Sequence, residues 1–152
     1  FYAIYPNPHA APAKELARYL RPIREIAPEL PMAHTWRPGG PNAAQILFHV
    51  AEASDFWVQK IVLGHDRPRD RAHEFVGDFS LEQIQESLEK ALAACQLFRR
   101  TPVELTAPVT VVGNHNPSET YTNWTVAKAL THVTAHAAEH FGQLKAIMPR
   151  RV

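Results

Sequence analysis

Apolar residues recur at helical spacing in four stretches of this chain, separated by clusters of Pro, Gly and Asn. In the first, about residues 11 to 28, Leu16, Leu20, Ile23 and Ala27, with Leu30 just beyond, share one face. Pro22 removes an amide donor there and is expected to kink or divide the helix. The breaker-dense turn "TWRPGGPNA" follows, and Asn42 is placed to cap a second helix through "AAQILFHVAEASDFWVQKIVLG" that stops at Gly64. Its stripe is Ile46, Val50, Ala53, Trp57 and Ile61.

After a charged loop, "HDRPRDRAHEFVGDF", Ser80 with Gln83 forms a capping-box signal. The third helix that it opens turns Ile84, Leu88, Ala91, Cys95 and Phe98 inward and ends at Thr101-Pro102. Residues 103–122, with the β-branched run and Gly-Asn turn of "APVTVVGNHNPSETY", predict a long loop or a small hairpin. The fourth helix, about 124 to 147, sets Val126, Leu130, Val133, Ala137, Phe141, Leu144 and Met148 at alternating spacings of three and four. Four amphipathic helices without a convincing sheet predict an all-α four-helix bundle, and residues 1–152 suffice for one domain.

Composition narrows the partners. Sixteen Lys plus Arg against fifteen Asp plus Glu give a formal charge of +1 with no long block of either sign, so the electrostatic footprint of a nucleic-acid binder is missing. The lone Cys95 cannot close an internal disulfide, and no run approaches the ~20 apolar residues of a membrane span. The expectation is a soluble cytoplasmic protein acting on a small molecule.

The chemistry concentrates in "THVTAHAAEHFGQ", where His132, His136 and His140 stand four apart. Neighbours in this series are ~6 Å apart along the axis and can share a metal ion, but His132 and His140, ~12 Å apart, cannot. Spacing leaves 132 with 136, or 136 with 140. On a helical wheel with Val133 at zero, His140 falls about 20° and His136 about 60° to one side, within or at the edge of the apolar stripe, while His132 lies about 100° away on the flank. The wheel favours His136 with His140. A bundle site takes ligands from facing helices, and His49, bordering the apolar face of the second helix, is the candidate third ligand. Three ligands leave the open position that catalytic zinc requires.

Together, "ILFHVAEASDFW" and "LTHVTAHAAEHFGQL" resemble the DinB/YfiT-like superfamily, in which a helix-2 histidine precedes an acidic and aromatic pair and helix 4 reads His-x-x-x-His-x-Gly-Gln. The lead-in "TWRPGGPNAAQILFH" is similar to that of some branches, and the resemblance runs from about residue 14 to 148. It implies a bundle of up-down-down-up connectivity, commonly homodimeric, holding zinc or nickel by three histidines that match His49, His136 and His140. The His132 position is frequently histidine in the family without being a ligand. Many members carry a histidine just before the last ligand and an arginine just after it, where this chain has Glu139 and Phe141.

The reaction implied is S-transfer from a low-molecular-weight thiol to an electrophile, in stress or detoxification chemistry. Two other readings stay open: metal-assisted hydrolysis of a small amide or ester, with Glu52 or Glu139 as candidate base, and a non-catalytic metal- or ligand-binding stress protein. Glu52 and Asp55, one and about two turns after His49, are also candidates to accept a hydrogen bond from a ligand imidazole. Gln143, Trp57 and Cys95 read as packing or pattern residues, Arg99-Arg100 as complements of a helix C-terminus, His115 as a loop residue able to cover the site, and His34, His65 and His73 as solvated.

Overall fold

A computed structural model describes residues 11–113 and 118–149. The chain order is α1 (Ala11–Ile26), α2 (Ala43–Phe56), a π-helical continuation of α2 (Trp57–Val62), a short α3 (Arg71–Glu74), α4 (Leu81–Arg100), β1 (Pro108–Val112), β2 (Thr120–Thr125) and α5 (Val126–Ala146). The long helices α1, α2, α4 and α5 are the four of the bundle. Both α1 and α2 pack mainly on α4 and α5, so the centre is lined from all four. The stripes expected from periodicity supply it: Leu16, Leu20 and Ile23 meet Ile46 and Val50, Ile84, Leu88 and Phe98, and Leu130, Val133 and Leu144.

Local chemistry sets the boundaries. The Asn42 side chain accepts from the Gln45 amide at 2.9 Å while the Gln45 side chain accepts from the Asn42 amide at 3.0 Å, closing a reciprocal cap. Ser80 and Gln83 repeat it at the start of α4. Gly64, at φ +73°, ends the α2 continuation in the left-handed region that a side chain disfavours. Pro22 does not divide α1, which runs unbroken through it from Ala11 to Ile26. It removes one amide donor, whereas Leu20 and Ile23 on either side are fully buried and hold the helix to its neighbours.

Two features were less legible. The expected hairpin is present but runs past residue 122 to Thr125, with β1 antiparallel to β2 and one extra residue on β2 between Tyr121 and Trp124. The charged loop holds α3, capped by Asp70, whose side chain accepts from the His73 amide at 3.2 Å. That loop is pinned to α2: Phe79 stacks on Phe48 at 3.9 Å, and the Gln45 side chain donates to the Gly77 carbonyl at 3.1 Å. His115 lies outside the described residues. Among those described, no helix is long and apolar enough to cross a membrane.

A Cβ at Gly77 would come within 2.6 Å of the stacked Phe79 ring and 2.8 Å of the His73 ring. Gly77→Ala is therefore expected to destabilise the protein by about 1–3 kcal/mol through overpacking. Gly142→Ala, in mid-helix with open space around the new carbon, is expected to stabilise it by about 0.5–1 kcal/mol. Urea midpoints that move in the same direction for both variants would contradict this assignment.

Candidate metal centre

Helix α2 carries His49 on its buried side, and α5 presents His136 and His140 one turn apart towards it. Their ring nitrogens meet. His136 Nε2 lies 2.8 Å from His49 Nε2 and 3.1 Å from His140 Nε2, and the three lie within 4.8 Å of one another. His49 is 4% exposed and the other two are partly buried.

The far side of each ring decides which nitrogen carries its proton. Glu74, 1% exposed, accepts from His49 Nδ1–H at 2.7 Å. Gln143 Oε1 accepts from His140 Nδ1–H at 2.8 Å. Both rings therefore keep a lone pair on Nε2, aimed inward. His136 cannot satisfy both. A proton on its Nε2 reaches one neighbour and leaves its buried Nδ1 with no partner among the described residues; a proton on Nδ1 leaves that N–H unpaired and brings three lone pairs face to face.

A cation among the three nitrogens resolves the conflict. Two nitrogens each about 2.0–2.1 Å from one ion are about 2.9–3.4 Å apart for angles of about 90° to 109°, close to the two shorter separations here. The donor set, three imidazoles, fits a divalent transition-metal ion.

Electrostatics keep the rings neutral and their support charged. Burial lowers His49, outweighing the bond to Glu74 that raises it. Burial, followed by the neighbouring His140 and His49, lowers His136 to about 2. His140 is lowered by burial against the opposing bond to Gln143. Burial by itself would raise Glu74, but the Arg69 guanidinium and then His49 hold it below the usual carboxylate range. Arg69 grips both carboxylate oxygens, Nε at 2.7 Å and Nη2 at 2.8 Å, a bidentate pair that is 8% exposed on the arginine side.

Of the sequence candidates, the three expected ligands come together and His132 does not join them. Its ring packs against Trp57 at 4.7 Å and edge-on to Trp124 at 5.3 Å. Glu52 and Asp55 do not support a ligand imidazole. Both are held by Arg67, Asp55 through Nε at 2.8 Å and Glu52 through Nη2, because the loop after Gly64 returns a cation to that side of α2. Glu139 is exposed on α5; its charge acts on the adjacent His140, but among the described residues no hydrogen bond joins it to the cluster. Cys95 is a core residue, its thiol pushed up to about 12 by burial. His34, His65 and His73 are exposed.

Three contributors are not apparent from residue order. Glu74 and Arg69 lie in a stretch without periodicity, and Asp70-x-x-His73, the local capping pattern there, is the signal for the α3 turn that carries Glu74. Gln143, expected to be a pattern residue, orients His140; its position three after that histidine on one helix is the available clue.

The sequence profile of the DinB superfamily matches residues 9–144. No curated protein and no solved structure matches the chain.

The pKa directions give a pH dependence for the metal-free protein. The unfolded chain takes up a proton at His136 near the ordinary imidazole value of 6.5, whereas the folded chain holds that ring neutral to about 2. Protons thus favour the unfolded state, and stability is full above about pH 6.5 and falls below it by about 1.4 kcal/mol per pH unit for one such histidine. His49 and His140, lowered as well, steepen the fall. Urea unfolding between pH 7.5 and pH 5 in chelator should show this slope, and His136→Gln should flatten it; an unchanged slope in the variant would rule His136 out as its source.

Proposed function

Because the chain belongs to the DinB superfamily, we propose that His49, His136 and His140 hold a divalent zinc or nickel ion and that the protein is a metal-dependent enzyme acting on a low-molecular-weight thiol. The observation that supports this most is the convergence of three Nε2 atoms, two of them fixed as lone-pair donors by Glu74 and Gln143. When bound, such an ion lowers the pKa of a coordinated thiol or water so that it is nucleophilic at neutral pH.

The rest is work for side chains of this chain. Glu74, itself clamped by Arg69, orients His49 and strengthens it as a donor. His132 lines the cavity beside His49 and His136, and burial, then Lys128, lower its pKa, so it is neutral at neutral pH and available to take the proton that a thiol releases. Trp57 and Trp124 pack around that ring and fix where it can point.

Thiol transfer is favoured over hydrolysis because the carboxylates that could serve as bases are occupied or turned to solvent. Glu52 is tied to Arg67, Glu139 faces solvent, and Glu74 contacts the Nδ1 side of His49, away from the converging nitrogens.

Elemental analysis of purified variants tests the ligand set. His49→Ala, His136→Ala and His140→Ala are expected to lose the bound ion, and His132→Ala to keep it. Retention in His140→Ala with loss in His132→Ala would reverse the assignment. Glu74→Gln, which preserves shape but removes charge, is expected to weaken metal affinity by about 10–100-fold. His132→Gln should retain the ion while turnover with thiol and electrophile falls by about 100-fold or more.

A further inference from the structure

A cavity of about 60 Å³ opens against the imidazole cluster, with Arg69, Arg71, Trp57 and His132 lining it beside His49 and His136. Among the described residues no carboxylate lines it. The acidic groups nearby are committed elsewhere: Glu74 to His49 and Arg69, and Glu52 and Asp55 to Arg67. Arg71 differs from Arg69 and Arg67. Its guanidinium lies over the Phe75 ring, 5.1 Å from the centroid, and among the described residues no carboxylate pairs with it.

A guanidinium without a carboxylate, on a residue that lines a small cavity, suits an anion. The flat guanidinium and the ring walls favour a planar anion. About 60 Å³ of space beside the Arg71 side chain leaves room for a small anionic group. A carboxylate also matches the flat guanidinium fork. The neighbouring walls are the Trp57 and His132 rings, packed 4.7 Å apart, and Trp124 extends them outward. These faces suit an apolar or unsaturated body attached to that carboxylate.

We propose that this cavity is a carboxylate subsite, in which Arg71 grips the acid group of the substrate with Arg69 behind it, and that the substrate is an organic acid whose planar body lies against Trp57 and His132. The role in turnover rests on the proposed metal site, but the anion site itself needs only Arg71 and the cavity. With an ion bound next to it, the subsite would set the reacting end of the acid beside the open coordination position.

Benzoate is the probe, with benzamide as its uncharged analogue, titrated calorimetrically into the intact protein with its metal content measured in parallel. Benzoate is expected to bind and benzamide not to. Arg71→Gln should weaken benzoate by about 10-fold or more, the loss typical of a hydrogen bond to a charged group, and Arg71→Lys should recover part of it. Circular dichroism establishes that both variants are folded, and Arg71→Lys separates lost charge from lost packing. Equal benzoate affinity in Arg71→Gln and the parent overturns the proposal, and so does inorganic phosphate binding more tightly than benzoate. If the protein takes up no divalent ion but its benzoate affinity still depends on Arg71, the metal site falls and the carboxylate subsite stands. If the metal site fills and benzoate is indifferent to Arg71, the subsite falls and the metal site stands.

Discussion

The bond between His49 Nδ1 and Glu74, 2.7 Å long and buried at both ends, is the interaction on which the rest of the site depends. It decides the tautomer of His49, and so places a lone pair facing His136 and His140 of α5. A buried carboxylate without a counter-ion would itself be costly. Arg69 supplies that counter-ion with both oxygens engaged, and the resulting chain from Arg69 through Glu74 to His49 spans the short α3 and α2. The bundle delivers histidines from two helices; the loop between α2 and α4 makes one of them a directed ligand.

That loop is itself built from the bundle outward. The capping box at Asn42 fixes the first turn of α2, and the same Gln45 that closes it reaches Gly77. Phe48, one residue before the ligand His49, provides the surface on which Phe79 stacks. One turn of α2 therefore positions both the first imidazole and the segment that supports it. At the other end, the π-helical continuation of α2 carries Trp57, which meets Trp124 of the hairpin at 5.6 Å and His132 of α5. Local π-helix is frequent at functional sites, and here it lies at the mouth of the cavity beside the cluster.

Much of this is readable from residue order. The stripes on all four helices, the caps at Asn42 and Ser80, and the stop at Gly64 follow from local rules, and each is present as expected. The helical wheel separates His136 and His140 from His132 for the same reason: all three belong to one helix, whose 3.6-residue period is independent of its surroundings. Periodicity fails for Glu52 and Asp55, because their partner arrives on a returning loop, from Arg67, and nothing in the spacing of α2 announces it. Pro22 is the complementary case, a strong local signal for a break overruled by the packing of Leu20 and Ile23.

The sequence by itself therefore determined the helices, their inward faces and the pair of α5 histidines, since each depends on contacts within a few residues. His49 could be nominated from its place at the edge of the α2 stripe, but tertiary structure alone decided that its lone pair turns inward and that Glu74 rather than Glu52 supports it. It also decided that Arg71 lines the cavity with no carboxylate partner among the described residues. Those outcomes turn on where an aperiodic loop comes to lie against two helices, and the energy that places it there comes from stacking, a close glycine contact and buried ion pairing between residues distant in the chain.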